Sequence, residues 1–187
     1  SIYLLDLRLY VSYMRRIISN FLITLMFFSY FSYVSADDKG KEKKSNETEF
    51  NFFTGNFDFS DDKQASGLIG FQHQNDDLFR ESFLGKLSPI TGAFLTEKSA
   101  FYFYTGAQAE YNLGPFIITP SFAPGYYNYG DGKDLGSALE FKSEVQMSLN
   151  LSESTEFGMS YNHISNASLG SKNPGANSYM INFIKQF

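Results

Sequence analysis

One short segment of the sequence combines a candidate base with a candidate nucleophile. The segment YNHISNASLGSKNPGAN runs from Tyr161 to Asn177 and contains His163, one of only two histidines, with Ser165 two residues later. A histidine that accepts the proton of a serine hydroxyl turns that serine into a nucleophile toward an ester carbonyl. The alternative is a pair of hydrated polar residues at the interfacial end of a strand. The local pattern alone favours this second interpretation.

The composition argues against several other kinds of site. The 187 residues contain no cysteine, which excludes disulfides and thiolate ligands, and two histidines argue against a histidine-based zinc site. The formal net charge is −5, and no basic patch indicates nucleic-acid binding. The sequence also contains no phosphate-binding glycine loop, no HExxH motif and no G-x-S-x-G motif. We therefore expect no metal, no cofactor and no nucleic-acid partner.

The N-terminal segment predicts export from a bacterial cell. A basic region opens at Met14, an apolar run follows, and small residues close it at Ala36, which is the order of a secretory signal peptide. We interpret residues 1–36 as that signal, with Met14 as its true start, and residues 37–49 as a flexible polar N-terminus. A retained membrane anchor is the alternative, but the apolar run is short for a membrane span.

The remaining chain, residues 50–187, predicts an all-β domain. Its segments alternate between apolar and polar side chains and are separated by Gly, Asn, Asp and Pro. Eight strands are predicted, at 50–59, 65–74, 85–96, 100–112, 115–123, 138–150, 155–165 and 178–187. The aromatic content of 18% fits a wide apolar surface. The expected fold is an eight-stranded antiparallel transmembrane β-barrel, and the alternative is a soluble lipocalin-like barrel with apolar side chains inside.

The final predicted strand favours the membrane barrel. SYMINFIKQF places Tyr179, Phe183 and Phe187 on one face and ends in phenylalanine, which resembles the last strand of outer-membrane barrels. An even number of strands puts both termini of the barrel domain on the same side of the membrane, the periplasmic side. The loop at about 166–177 is therefore expected on the cell exterior.

Alternation along 155–165 predicts where the candidate residues point. Successive side chains of a strand lie on opposite faces, and the odd positions, with Phe157 and Tyr161, form the apolar face. His163 and Ser165 continue that face at its outer end. They are expected to face the membrane, where a nucleophile would meet a lipid, rather than the lumen.

Two longer stretches carry a resemblance to a known family. HISNASLGSKNPGAN and the upstream PSFAPGYYNYGDGKDLGSALEFKSEVQMSLN resemble recurring segments of the lipid A 3-O-deacylase family, the outer-membrane acyloxyacyl hydrolases. The likeness covers roughly residues 85–187. It implies an eight-stranded barrel in the bacterial outer membrane that removes the ester-linked acyl chain at position 3 of lipid A in lipopolysaccharide. A homodimer stays open as a further partner.

The resemblance also assigns roles to individual residues. It makes His163 the general base and Ser165 the nucleophile of a serine esterase. Asn173 matches an asparagine whose side chain helps to form the oxyanion hole. The backbone N–H of Ser168 takes the place of a glycine N–H with the same role. Asn166 matches the asparagine next to the nucleophile and is expected to belong to the same oxyanion hole.

Asn177 departs from the family pattern, which has a glutamate at this position to orient the histidine. An asparagine can accept a histidine N–H, but it supplies no full charge, which implies slower turnover. Glu140 is the obvious substitute carboxylate, but alternation along its strand points it into the lumen. We therefore reject Glu140 as the residue that orients His163. Asp131 and Asp134 are interpreted as turn formers. An inactive or weakly active barrel with a structural or interaction role is the alternative function.

Overall fold

The computed structural model describes residues 48–75, 78 and 80–187. The predicted signal peptide and almost all of the predicted flexible N-terminus lie outside these residues. The described chain forms ten β-strands: β1 Thr48–Phe57, β2 Ser66–Asn75, β3 Arg80–Ser82, β4 Gly85–Thr96, β5 Phe101–Ala109, β6 Tyr111–Leu113, β7 Phe116–Asn128, β8 Leu139–Ser152, β9 Thr155–Ser165 and β10 Ala176–Gln186. Within this described part, no helix is long and apolar enough to cross a membrane.

Eight of the described strands close into a barrel. The order around the wall is β2, β1, β10, β9, β8, β7, β5, β4, and β2 pairs with β4 to complete the ring. The short strands β3 and β6 extend the wall by pairing with β4 and β7. Closure leaves no open strand edge along the wall. The predicted eight-stranded antiparallel barrel is confirmed, and the predicted strand bounds agree with most of the wall.

The largest difference in bounds is at β7, which continues to Asn128 instead of ending at 123. Pro124 and Gly125 suggested a turn, yet both stay in register with β8, where Pro124 lies opposite Phe141 and Gly125 opposite Glu140. A strand tolerates a proline where its ladder needs no N–H at that position. The longer strand brings Tyr127 into the barrel.

The side chains of the barrel wall are apolar outside and polar inside. Along β8, the even-numbered residues Glu140, Lys142, Glu144 and Gln146 are buried, whereas Leu139, Val145, Met147, Leu149 and Leu151 are exposed. Exposed apolar residues on the other strands form the same outer band: Phe52, Ile69, Phe71, Leu95, Phe103, Phe122, Phe157, Met159, Tyr161, Tyr179, Ile181 and Phe183. This is the arrangement of a membrane barrel, and it is opposite to that of a lipocalin-like barrel.

The interior changes in character toward one end of the barrel, called here the site end, where the loops 58–65, 97–100, 129–138 and 166–175 connect the strands. Aromatic side chains fill the lumen below these loops. Phe57 stacks on Tyr127 with ring centroids 6.1 Å apart, and Tyr102 stacks on Tyr104 at 5.4 Å. Leu135, from the loop 129–138, is fully buried beside them. The site-end loops therefore rest on a packed floor rather than over an open channel.

Candidate active site

His163 and Asn177 are directly opposite each other on neighbouring strands. β9 and β10 pair in antiparallel register, with Asn177 as the cross-strand partner of His163. Their side chains lie on the outer face of the wall, where His163 is exposed. The distance from His163 Nδ1 to Asn177 Oδ1 is 2.8 Å. Asn177, which stands where the family pattern has a glutamate, thus lies in the position of the acceptor that orients the histidine ring.

Asn177 is bound on several sides. The Tyr161 hydroxyl donates to Asn177 Oδ1 at 2.8 Å, and Asn177 Nδ2 donates to Ser60 Oγ at 3.3 Å. The backbone N–H of Asn177 donates to Asp58 Oδ1 at 3.4 Å, and its carbonyl accepts the Phe59 N–H at 3.0 Å. The loop 58–65 is therefore attached to the start of β10, beside the His163 ring.

Ser165 follows His163 on the same face, at the last position of β9. It is half-buried, and its cross-strand partner on β8 is Phe141. Residues two apart on a strand are separated by about 6.6 Å along the chain, so their side chains are neighbours. Among the described residues, the His163 ring bonds to Asn177 and makes no hydrogen bond to Ser165, so Nε2 is left for a proton transfer. A contact between base and nucleophile often shortens only when substrate binds.

Gly175 provides the room for the His163 ring. Its φ is +64°, a left-handed conformation that L side chains rarely adopt. A Cβ placed there would lie 2.8 Å from His163 Cε1 and 3.3 Å from Nε2. Any side chain at this position would therefore displace the ring on the side that carries the expected basic nitrogen.

The loop 166–175 is organised by Asn166, whose side chain is fully buried. Its Nδ2 donates to the carbonyls of Leu135 and Lys172, each at 2.8 Å, and its Oδ1 accepts the Ser168 N–H at 3.0 Å. This geometry differs from the expectation that Asn166 belongs to an oxyanion hole. Its amide forms hydrogen bonds to the backbone of two loops, because a buried amide needs hydrogen-bond partners inside the protein.

The two other expected oxyanion donors differ in availability. Asn173 is exposed, and its Oδ1 accepts the backbone N–H of Asn166 at 3.1 Å, which leaves the Nδ2 hydrogens as donors. The Ser168 N–H, by contrast, already donates to Asn166. Ala167 and Ser168 both have positive φ, at 53° and 65°, so the chain turns sharply directly after Ser165.

An exposed ion pair joins this loop to the loop 129–138. Lys172 Nζ lies 2.8 Å from Asp134 Oδ2, and the hydrogen bond from Lys172 lowers the pKa of Asp134, with a further contribution from the Gly136 N–H. Asp134 Oδ1 accepts that N–H at 2.9 Å, which is the turn-forming contact predicted for this residue. Both residues are exposed, so the pair orients the loops more than it stabilises the fold.

The structure keeps Glu140 apart from the site and adds three residues that the sequence did not indicate. Glu140 is fully buried in the barrel interior, as its alternation predicted. Asp58 and Ser60 contact Asn177 although they lie far from it in the chain. Tyr161 was recognised only as a lipid-facing aromatic. Asp58 and Ser60 lie in a polar stretch that resembles an ordinary turn, so the sequence carried no signal for their part in this site.

The barrel with its apolar outer band defines the class of the protein: it is a β-barrel protein of the bacterial outer membrane. A model of the family described as lipid A 3-O-deacylase (PagL) matches residues 65–185. The chain belongs to this family. The family acts on lipid A in the outer membrane.

Two solved structures show the same fold. The crystal structure of the outer membrane enzyme PagL is 18% identical, with a TM-score of 0.56 over 73% of this chain and 98% of that one. A de novo designed transmembrane β-barrel is 11% identical, with a TM-score of 0.50 over 79% of this chain and 100% of the designed one. At these identities the likeness concerns the fold alone. No curated protein matches the sequence.

Proposed function

We propose that the protein is a serine esterase that removes the 3-O-linked acyl chain from lipid A of lipopolysaccharide. Membership of the lipid A 3-O-deacylase family supports the substrate. The observation that carries the chemistry is the 2.8 Å contact between His163 Nδ1 and Asn177 Oδ1, on the membrane-facing side of the barrel wall. It leaves Nε2 to act as a base next to Ser165.

The proposed reaction has two halves. His163 Nε2 takes the proton of the Ser165 hydroxyl while Ser165 Oγ attacks the ester carbonyl. The tetrahedral intermediate collapses, the sugar hydroxyl leaves with the proton from His163, and the acyl group stays on Ser165. Water activated by His163 then hydrolyses this acyl-enzyme and releases a 3-hydroxy fatty acid.

Asn173 is the proposed main donor to the oxyanion, because its Nδ2 hydrogens are free while its Oδ1 is held by the loop backbone. The Ser168 N–H would be a second donor by sharing its hydrogen between Asn166 Oδ1 and the oxyanion. Asn166 acts indirectly in this scheme, since it fixes the loop that carries both groups.

The location of the site suits a substrate that stays in the membrane. His163 faces outward with its neighbours Tyr161 and Tyr179, which are exposed on the apolar band. Lipid A would reach Ser165 sideways from the leaflet. The lumen takes no part in this route, because aromatic side chains fill it at the site end.

The decisive experiment compares lipid A from cells that express the wild type, Ser165→Ala or Ser152→Ala. Ser152 is an exposed serine at the opposite end of β8 and serves as the matched control. We expect the wild type and the control to release a 3-hydroxy fatty acid from lipopolysaccharide, and Ser165→Ala to release none, with an intact barrel by circular dichroism. Unchanged release from Ser165→Ala would refute the proposal.

The second candidate is a barrel without catalytic activity, with a structural or interaction role in the outer membrane. Asn177 favours it, because an amide gives the histidine no charged partner. Mass spectrometry of lipid A separates the two candidates. Identical acylation of lipid A with and without the protein would support the inactive barrel.

A further inference from the structure

Asn177 poses a problem that a glutamate would not. A carboxylate only accepts hydrogen bonds, so it fixes the proton of a neighbouring histidine on Nδ1. An amide has an acceptor on one side and a donor on the other, and a half-turn of the group exchanges them. With Nδ2 facing His163, the ring proton would move to Nε2, the nitrogen that must be free to act as the base. Something must therefore hold the Asn177 amide in one orientation.

The groups in direct contact with Asn177 do not fix its orientation by themselves. The Tyr161 hydroxyl lies 2.8 Å from Asn177 Oδ1, and the Ser60 hydroxyl lies 3.3 Å from Nδ2. Each hydroxyl can both donate and accept, so each would tolerate either face of the amide. A preference for one orientation of the amide must come from a group that can only donate or only accept a hydrogen bond.

Asp58 is that group. Its carboxylate accepts only, and its Oδ1 lies 3.5 Å from Ser60 Oγ. The Ser60 proton therefore points to Asp58, and its lone pair faces Asn177 Nδ2. This places Asn177 Oδ1 toward His163, which in turn holds the ring proton on Nδ1. Each donor in the chain from His163 to Asp58 then meets an acceptor.

Asp58 is held firmly for this task. Its side chain is only 1% exposed, and its Oδ2 lies 2.7 Å from Lys133 Nζ. Its φ of +53° is unusual for a residue with a side chain, and its carbonyl accepts the Asp61 N–H at 3.0 Å to close the turn. The same Oδ1 that faces Ser60 also accepts the backbone N–H of Asn177 at 3.4 Å.

We propose that Asp58, acting through Ser60, is a positioning residue that sets the orientation of the Asn177 amide and thereby the tautomer of His163. Asp58 thereby fixes from a distance the orientation of the acceptor, which the glutamate of the family pattern provides at position 177 by itself. The effect of this positioning role on catalysis rests on the proposed esterase function. The effect on the tautomer of His163 is independent of that function.

The tautomer can be measured without any activity. The chain has two histidines, His73 and His163, so protein labelled with 15N-histidine in detergent micelles gives few ring signals, and His73→Gln assigns them. At a pH where the ring is neutral, we expect His163 to carry its proton on Nδ1. Ser60→Ala and Asp58→Asn should give a mixture of both tautomers. Asp62→Asn, which removes the same charge from an exposed position in the same loop, should match the wild type.

Kinetics then tests the catalytic consequence. Ser60→Ala should lower kcat for lipid A deacylation by about tenfold, the worth of one hydrogen bond, with KM unchanged. Ser60→Thr keeps the hydroxyl and should restore the rate. In an Asn177→Glu background, where the acceptor no longer depends on Ser60, Ser60→Ala should have no effect.

The outcomes separate the two proposals. Retention of the pure Nδ1–H tautomer in Asp58→Asn and Ser60→Ala, or an equal loss of kcat with asparagine and with glutamate at position 177, would overturn the positioning role. Wild-type release of fatty acid by Ser165→Ala would overturn the esterase function, and the ring signals of His163 would still decide the role of Asp58.

Discussion

Two networks of polar side chains among the described residues, one inside the barrel and one on its outer edge, end differently. Inside, Asn51 donates to Gln146 at 2.9 Å and to Asn182 at 3.1 Å, and Asn182 donates to Ser160 at 2.9 Å. These residues come from four strands and bond to one another. Such a network stabilises the wall.

The outer network runs from the Asp58–Lys133 ion pair through Ser60 and Asn177 to His163. It begins at an ion pair whose aspartate is buried and ends at the His163 ring, where Nε2 is available for proton transfer. A network whose side chains bond to one another stabilises the structure. A network with a free end at a reacting group can fix the orientation of that group. Variants in the two networks should therefore affect different measurements.

The largest effect is expected at the free end of the outer network. His163→Gln should reduce lipid A deacylation by at least about 10³-fold, because loss of the base removes the activation of Ser165. The unfolding midpoint in detergent should stay within experimental error of the wild type, since the ring is exposed. Residual activity near the wild-type rate would exclude His163 as the base.

Gly175→Ala should lower kcat by about 10²-fold, since a misplaced catalytic group costs on that order. The added Cβ would meet the His163 ring at 2.8 Å. Gly114→Ala is the matched control, because Gly114 has a similar φ of +62° but nothing within 4 Å of the added atom. The control should lose about 1–2 kcal/mol of stability and no activity. Equal kcat values for the two variants would show that contact with the ring is unimportant.

Asn177→Glu should raise kcat by about tenfold, because a full charge opposite His163 stabilises the imidazolium that forms in the transition state. Asn177→Gln has the same length without the charge, and we expect it to give no gain. The comparison needs only initial rates on purified lipopolysaccharide. A rate for the glutamate variant equal to or below that of the glutamine variant would contradict the prediction.

Asn182→Ala tests the interior network and should leave kcat unchanged. The substitution removes the partner of both Asn51 and Ser160, which should lower the free energy of unfolding by about 1–3 kcal/mol. Asn112→Ala, at an exposed position of β6, is the control and should cost little. A loss of activity without a loss of stability would show that the two networks are coupled.

The smallest effect is expected at the Asp134–Lys172 pair. The folded-state pKa of Asp134 is lowered, so its contribution to stability is present above the ordinary value of 3.8 and disappears as the pH falls through the folded value. Asp134→Asn should therefore change loop protection slightly at pH 7 and not at all in strong acid. Hydrogen exchange of the loop 166–175 measures this, with Asp131→Asn as the control.

Much of the fold and the orientation of the candidate site could be predicted because both depend on a local rule. Alternation with period two placed His163 and Ser165 on the outer face and Glu140 inside, and the burial of these residues agrees. The same rule gave eight wall strands. It failed at the end of β7, where Pro124 and Gly125 resemble a turn but continue the ladder.

The contacts of the loop 58–65 could not be predicted, because they depend on how the barrel closes. Asp58 lies 119 positions before Asn177 in the chain, and the pairing of β1 with β10 is what brings them together. The occupation of Asn166 by two loop carbonyls depends in the same way on the packing of one loop against another. Side-chain types alone do not specify such pairs.

The packed aromatic floor beneath the site-end loops has a kinetic consequence for the proposed esterase. With the lumen of the described barrel filled at this end, lipid A and the released fatty acid travel in the plane of the membrane, and encounters take place in two dimensions. The rate then depends on the mole fraction of lipid A within the surface rather than on its concentration in the surrounding solution. Diluting lipopolysaccharide with inert detergent at constant total lipopolysaccharide would slow such an enzyme.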